Sequence, residues 1–310
     1  MAESRRMGWR RLKVGCFGLG ALAIVVLIVI GGMTGFAFLQ NRFEAPERRE
    51  VDYAIPGSAQ SGEIGFQPRA DAVPGRIVLD LSVCVAVIVP APPGTPIQVQ
   101  ADYDPGHFEL QEESTGNAET GWTYRITMRP TGSASWALFR AKIGGRTGKL
   151  RISLPRDVRI ELNGEADRGY VAMELGGLWL RSTDLDVKGG AVKLSFAEPL
   201  REPMERMEIR GSTGAIEVTQ LGNASPRSVV FQQHLGAVDL DLRGPWSRDA
   251  EIRIHAPMAG GTLWLPDGVA ITGIEGRTDR FRSTPAAAEV PPPTLDFRLA
   301  NRTGKIIIID

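Results

Sequence analysis

Three pairs of carboxylates stand at spacings that could do chemistry. Asp184 with Asp186, and Asp239 with Asp241, lie two residues apart in alternating runs, so each pair shares one face of a strand. Two carboxylates on one face could divide acid and base work. On an alternating strand they also make a plain solvated face, and that is the reading adopted. Asp102 and Asp104 have the oxygen chemistry for Ca²⁺, but Pro105 and Gly106 follow them and make the segment a turn. His107, His234 and His255 stand far apart, and Cys16 and Cys84 form no C-x-x-C, so no zinc site is expected. G-x-S-x-G, P-loop and dinucleotide motifs are missing, and the Gly-Gly pairs precede strands, where no helix N-terminus can meet a phosphate. The expectation is a protein that is not an enzyme and uses no metal or other cofactor.

The tryptophans are the stronger candidates for a surface role. Trp179 alternates with Leu178 and Leu180, and Trp264 with Leu263 and Leu265. Leucines turned inward would turn both indoles outward. With Trp246 they would then form a patch for a glycan or a protein. The other reading packs them beneath a neighbouring segment.

The elements that must carry these residues are short and evenly spaced. Gly169, Gly190, Gly214, Gly236 and Gly261 each open an alternating strand, at intervals of 21, 24, 22 and 25 residues. A second strand lies within each interval, as at Leu185 to Val187, Met207 to Ile209, Val229 to Phe231 and Ile252 to Ile254. One such unit cannot bury its apolar face alone, so neighbours must stack around a shared core. Val192, Leu194, Ile216, Val218, Val238, Leu240, Leu263 and Leu265 are the inward set. The expected fold is all-β, a solenoid-like stack of short strands; a sandwich of evenly spaced hairpins is the alternative. Upstream, Ile77 to Leu81, Val83 to Val89, Ile97 to Ala101, Trp122 to Met128, Lys149 to Leu154 and Val158 to Leu162 also read as strands. A Pro/Ala-rich excursion over 277–293 interrupts the period, and Lys305 to Ile309 is expected to be paired inside the sheet.

Composition agrees. The 310 residues carry no net formal charge, which argues against nucleic acid as a partner, and 43% are hydrophobic, enough for a large core. Residues 14–39 contain no charge and exceed the ~30 Å of a bilayer core at ~1.5 Å per residue. Arg5, Arg6, Arg10, Arg11 and Lys13 precede them, which places the N-terminus in the cytoplasm. The domains expected are a basic tail over 1–13, one transmembrane helix over 14–39, a juxtamembrane stalk over 40–75 and an extracytoplasmic β domain over 76–310. A cleaved signal peptide is the alternative to the anchor. Gly31 and Gly35 hold a G-x-x-x-G spacing that suits a homo-oligomer. Cys16 and Cys84 would lie on different sides of the bilayer and would not pair.

Leu175-Gly176-Gly177-Leu178, Gly190-Ala191-Val192, Gly214-Ala215-Ile216, Leu240 to Gly244 and Gly261 to Pro266 together resemble the toast-rack domain. That domain occurs in bacterial cell-wall-active antibiotic response proteins and in adhesin-like envelope proteins. The resemblance covers roughly Arg76 to Asp310 and offers no catalytic motif. It implies a bacterial envelope protein with a toast-rack stack and, as in some relatives, a membrane sensor protein as a partner during envelope stress; the single pass through the bacterial cell membrane is read from the one apolar run. The single apolar segment departs from the several of the stress-response members and weakens the transfer of the sensor partner. The expected function is a non-enzymatic, membrane-anchored envelope protein that binds or scaffolds a partner; a surface adhesin or glycan-binding module is the alternative.

Overall fold

A computed structural model describes residues 47–53, 73–117, 120–131, 148–274, 291–300 and 305–309. These residues belong to one compact unit, Pro46–Ala134 with Thr147–Asp310. Apart from a 3-10 turn at Leu221–Asn223, their regular structure is entirely strand. The first nine strands are β1 (Glu47–Tyr53), β2 (Gly75–Ser82), β3 (Cys84–Ala91), β4 (Ile97–Tyr103), β5 (Phe108–Asn117), β6 (Gly121–Pro130), β7 (Gly148–Pro155), β8 (Arg159–Asp167) and β9 (Gly169–Glu174). The other nine are β10 (Trp179–Val187), β11 (Gly190–Ser195), β12 (Arg206–Thr219), β13 (Ser228–Asp241), β14 (Ala250–His255), β15 (Met258–Trp264), β16 (Ala270–Thr272), β17 (Thr294–Ala300) and β18 (Ile306–Ile309).

All 18 strands join one sheet. One row of neighbours runs β5-β6-β2-β8-β10-β12-β13-β14-β17-β16. The other runs β1-β4-β7-β3-β9-β11-β12-β13-β15-β18. Pairing is parallel except for β1 with β4, β4 with β7, and β5 with β6. β12 and β13 belong to both rows, so the sheet curls through them. The inner faces then confront each other: Leu79, Leu81, Leu185 and Val187 of the first row share a small apolar cavity with Val171, Met173 and Val192 of the second.

Alternation explains the core. Ile77, Leu79 and Leu81 are buried along β2 while the residues between them are not. The eight inward positions, Val192 through Leu265, are each 0 to 3% exposed. Phe196, Phe231, Ile209 and Ile254 fill the space between.

The expected architecture requires correction. The strands do not form a solenoid-like stack of short rungs of the toast-rack type; they form a single curled sheet, with strands as long as 14 residues. The reason lies in the corner glycines. Gly214 and Gly236 do not end a strand. Their φ values of +124° and +127° bend the backbone while pairing continues on either side, so the two short strands expected per unit fuse into β12 and β13. The expected transmembrane helix over 14–39 lies outside the described residues. Among those residues, no helix is long and apolar enough to cross a membrane.

The glycine series also shifts in register. Gly169 pairs with Gly190 and Gly214 with Gly236, and Ala191 pairs with Ala215 just beyond Gly190 and Gly214. The next partner is Ala259, and Gly261 sits opposite Val238, two residues further on. Residues 47–53, within the expected stalk, are built into the sheet as β1. The tail over 1–13 and nearly all of the excursion over 277–293 lie outside the described residues.

Candidate functional site

Of the paired carboxylates, Asp184, Asp239, Asp241 and Asp104 are drawn into structure. Asp184 lies on β10 opposite Glu208 of β12. Arg210 donates to Asp184 Oδ1 at 2.7 Å and also holds Glu208, which Arg206 grips as well. Burial pushes the Glu208 carboxyl up, but the hydrogen bonds and charges of Arg206 and Arg210 outweigh it and hold the group below its ordinary value. Asp239 accepts the Thr262 N–H at 2.9 Å. Asp241 accepts from Arg243 Nε at 2.8 Å and from the guanidinium terminus at 2.9 Å, a two-point grip. Burial raises the Asp241 carboxyl, and the Arg243 bonds more than reverse that, leaving it below its ordinary value. Asp104 closes the turn after β4, accepting the Gly106 N–H at 3.0 Å and standing 2.9 Å from His107 Nδ1. Among the described residues, no group of three or more His, Cys, Asp or Glu could hold a metal. Cys84 is buried, and burial pushes its thiol up to about 12.

The three candidate tryptophans do not form one open patch. Trp179 is only 5% exposed, between the fully buried Leu178 and Leu180. The segment after β11 roofs it. Arg201 N donates to Leu178 O at 3.0 Å, and the guanidinium stands 5.0 Å from the indole centre. Trp246 is 7% exposed and donates from Nε1 to Leu242 O at 2.8 Å. Leu242 N in turn donates to Trp264 O at 3.0 Å, which brings Trp246 and Trp264 to the same end of the sheet. Trp264 is half-buried, with Ile309 as its register partner. Ile307 and Ile309 are 49% and 39% exposed, so β18 leaves an apolar margin beside Trp264.

A concave site that the sequence did not reveal lies on the outer face of β1, β4, β7 and β3. Its volume is about 440 Å³, within the ~300–1,000 Å³ range of ligand sites. Val85 and Val87 are half-buried on its floor. Lys149 and Arg151 are their register partners on β7, both exposed and both without an ion pair among the described residues. Across β7 stand Asp102, opposite Lys149, and Gln100, opposite Arg151. Gln100 Nε2 donates to Glu50 Oε1 at 2.9 Å. The signal in the sequence was Val83 to Val89, which is apolar at successive positions and therefore apolar on both faces. Such a run does not tell which of its residues face outward, and Val85, Val87 and Val89 do.

The fold and site thus define an all-β protein with a curled sheet and a concave outer groove. No family model matches the sequence, and no curated protein matches it. In structure the chain is similar to a "putative cell adhesion protein" from Clostridium sporogenes, with 12% identity and a TM-score of 0.43 over 85% of this chain and 98% of that one. A likeness of that size carries no argument about function.

Proposed function

We propose that the β unit is a non-enzymatic binding or scaffolding module of the cell envelope, attached to a membrane through its apolar N-terminal segment. The groove on β1, β4, β7 and β3 is the observation that carries this reading. It combines a valine floor with charged side chains of both signs, Lys149 and Arg151 beside Asp102 and Glu50, the mixture that lets a surface bury apolar area and still orient a polar partner. The platform beneath it is stiff, because its strands are tied turn to turn into one hydrogen-bonded sheet. Its partner is another envelope protein, and a membrane sensor is one such partner. A photo-crosslinking residue at Arg151 in living cells tests the proposal. The expected result is one discrete protein adduct that disappears with Val87→Glu. Adducts identical to those from Asp296, on β17 of the other row, would refute it.

A second reading, an adhesin or glycan-binding module, draws on half-buried Trp264 beside exposed Ile307 and Ile309. A glycan array probed with the natural chain and with Trp264→Ala decides it, since equal signals remove it.

A further inference from the structure

We propose that the bend of the sheet, from which Leu235 and Met258 project, lies against a lipid surface. This rests on the membrane attachment proposed above. The bend is the line through Val83, Gly169, Gly190, Gly214 and Gly236, where the first row of strands passes into the second. Most large apolar side chains of the described residues are buried, yet Leu235 and Met258 are each 51% exposed and are register partners on this line. Tyr170, next to Gly169, is 43% exposed. Arg168 and Lys188 stand along the same line, exposed, with Asp167 and Glu165 as their ion-pair partners. Apolar tips, a tyrosine ring and basic side chains in one line suit the boundary between lipid headgroups and acyl chains.

The course of the chain argues for the same occupant. Arg48 of β1 is in register with Asp102, Lys149 and Val85, and Val85 lies two residues beyond the bend at Val83. β1 therefore begins at the bend. In the sequence, residues 40–46 alone separate it from the charge-free run over 14–39. Seven residues reach at most about 25 Å when fully extended. That length bounds how far the start of β1 can stand from the apolar run. The strand ends carrying Trp264 and Asp267 lie one strand length from the bend.

The test uses the full chain with Cys16→Ser, reconstituted into phosphatidylcholine vesicles with and without phosphatidylglycerol. Buried Cys84 stays unlabelled in the folded protein. Leu235→Cys, Met258→Cys and, at the far end, Asp267→Cys each carry an environment-sensitive dye, with spin-labelled headgroups as quencher. The expected result is quenching at positions 235 and 258 several-fold stronger than at 267. Protein that floats with the vesicles and quenches equally at all three sites overturns the proposal while sparing membrane attachment. Protein that does not float with the vesicles sinks both.

Discussion

Gly236→Ala is the sharpest test of how the sheet bends. Gly236 has a φ of +127°, and a Cβ there would stand 1.8 Å from the carbonyl oxygen of Gly214. A backbone conformation that L side chains rarely adopt costs about 1–3 kcal/mol. The clash adds roughly 1–3 kcal/mol. Gly214 cannot retreat, because it is itself packed against Gly190, where its own Cβ would meet an oxygen at 2.0 Å. The sum is about 2–6 kcal/mol, a large share of the ~5–15 kcal/mol that holds a domain together. Gly268 supplies the control. It also has positive φ, +70°, but open space where a Cβ would go, so Gly268→Ala should cost only about 1–2 kcal/mol. Urea unfolding of the purified chain, followed by tryptophan fluorescence, compares the two. Equal midpoints would refute the close stacking of corner backbones.

Three further outcomes follow from the core and the ion pairs. Phe231→Ala, at a side chain 1% exposed, should cost about 3–5 kcal/mol in the same urea assay. Asp241 is held below its ordinary value, so its contribution is complete above the unfolded carboxylate pKa and is lost as pH falls through the depressed folded value. Stability should therefore drop on acidification, and Asp241→Asn should flatten that drop in thermal melts taken across the acid range. Cys84, with its thiol pushed up to about 12, should resist a thiol reagent at pH 8 in a Cys16→Ser background until denaturant is added; immediate reaction would contradict its burial.

The sequence disclosed the strands and their inner faces because alternation is local. Val192, Leu194, Ile216 and Val218 needed only their neighbours in the chain to be assigned inward, and all four are buried. The architecture was not legible in the same way. A glycine before a strand looks the same whether the chain stops there or bends and continues, and only the ladder through Gly214 and Gly236 shows the second case. Register was misjudged for a similar reason: Gly261 looked like the next corner, but Ala259 pairs with Gly236. Trp179 alternates with buried leucines as expected, yet Arg201, 22 residues away, folds back over it. No local pattern announces such a cover. The groove was hidden because valines on both faces of β3 read as one apolar run.

β12 and β13 pair in parallel register on both sides of the bend, and the curled sheet depends on that pairing. Glu217 of β12 and Asp239 of β13 are register partners beyond the corner glycines. Glu217→Cys combined with Asp239→Cys, in a Cys16→Ser background, should close with a short bifunctional thiol reagent in the folded protein. Glu217→Cys combined with Asp241→Cys, two residues out of register, should close far more slowly. The opposite order of rates, or equal rates for both pairs, would contradict the account.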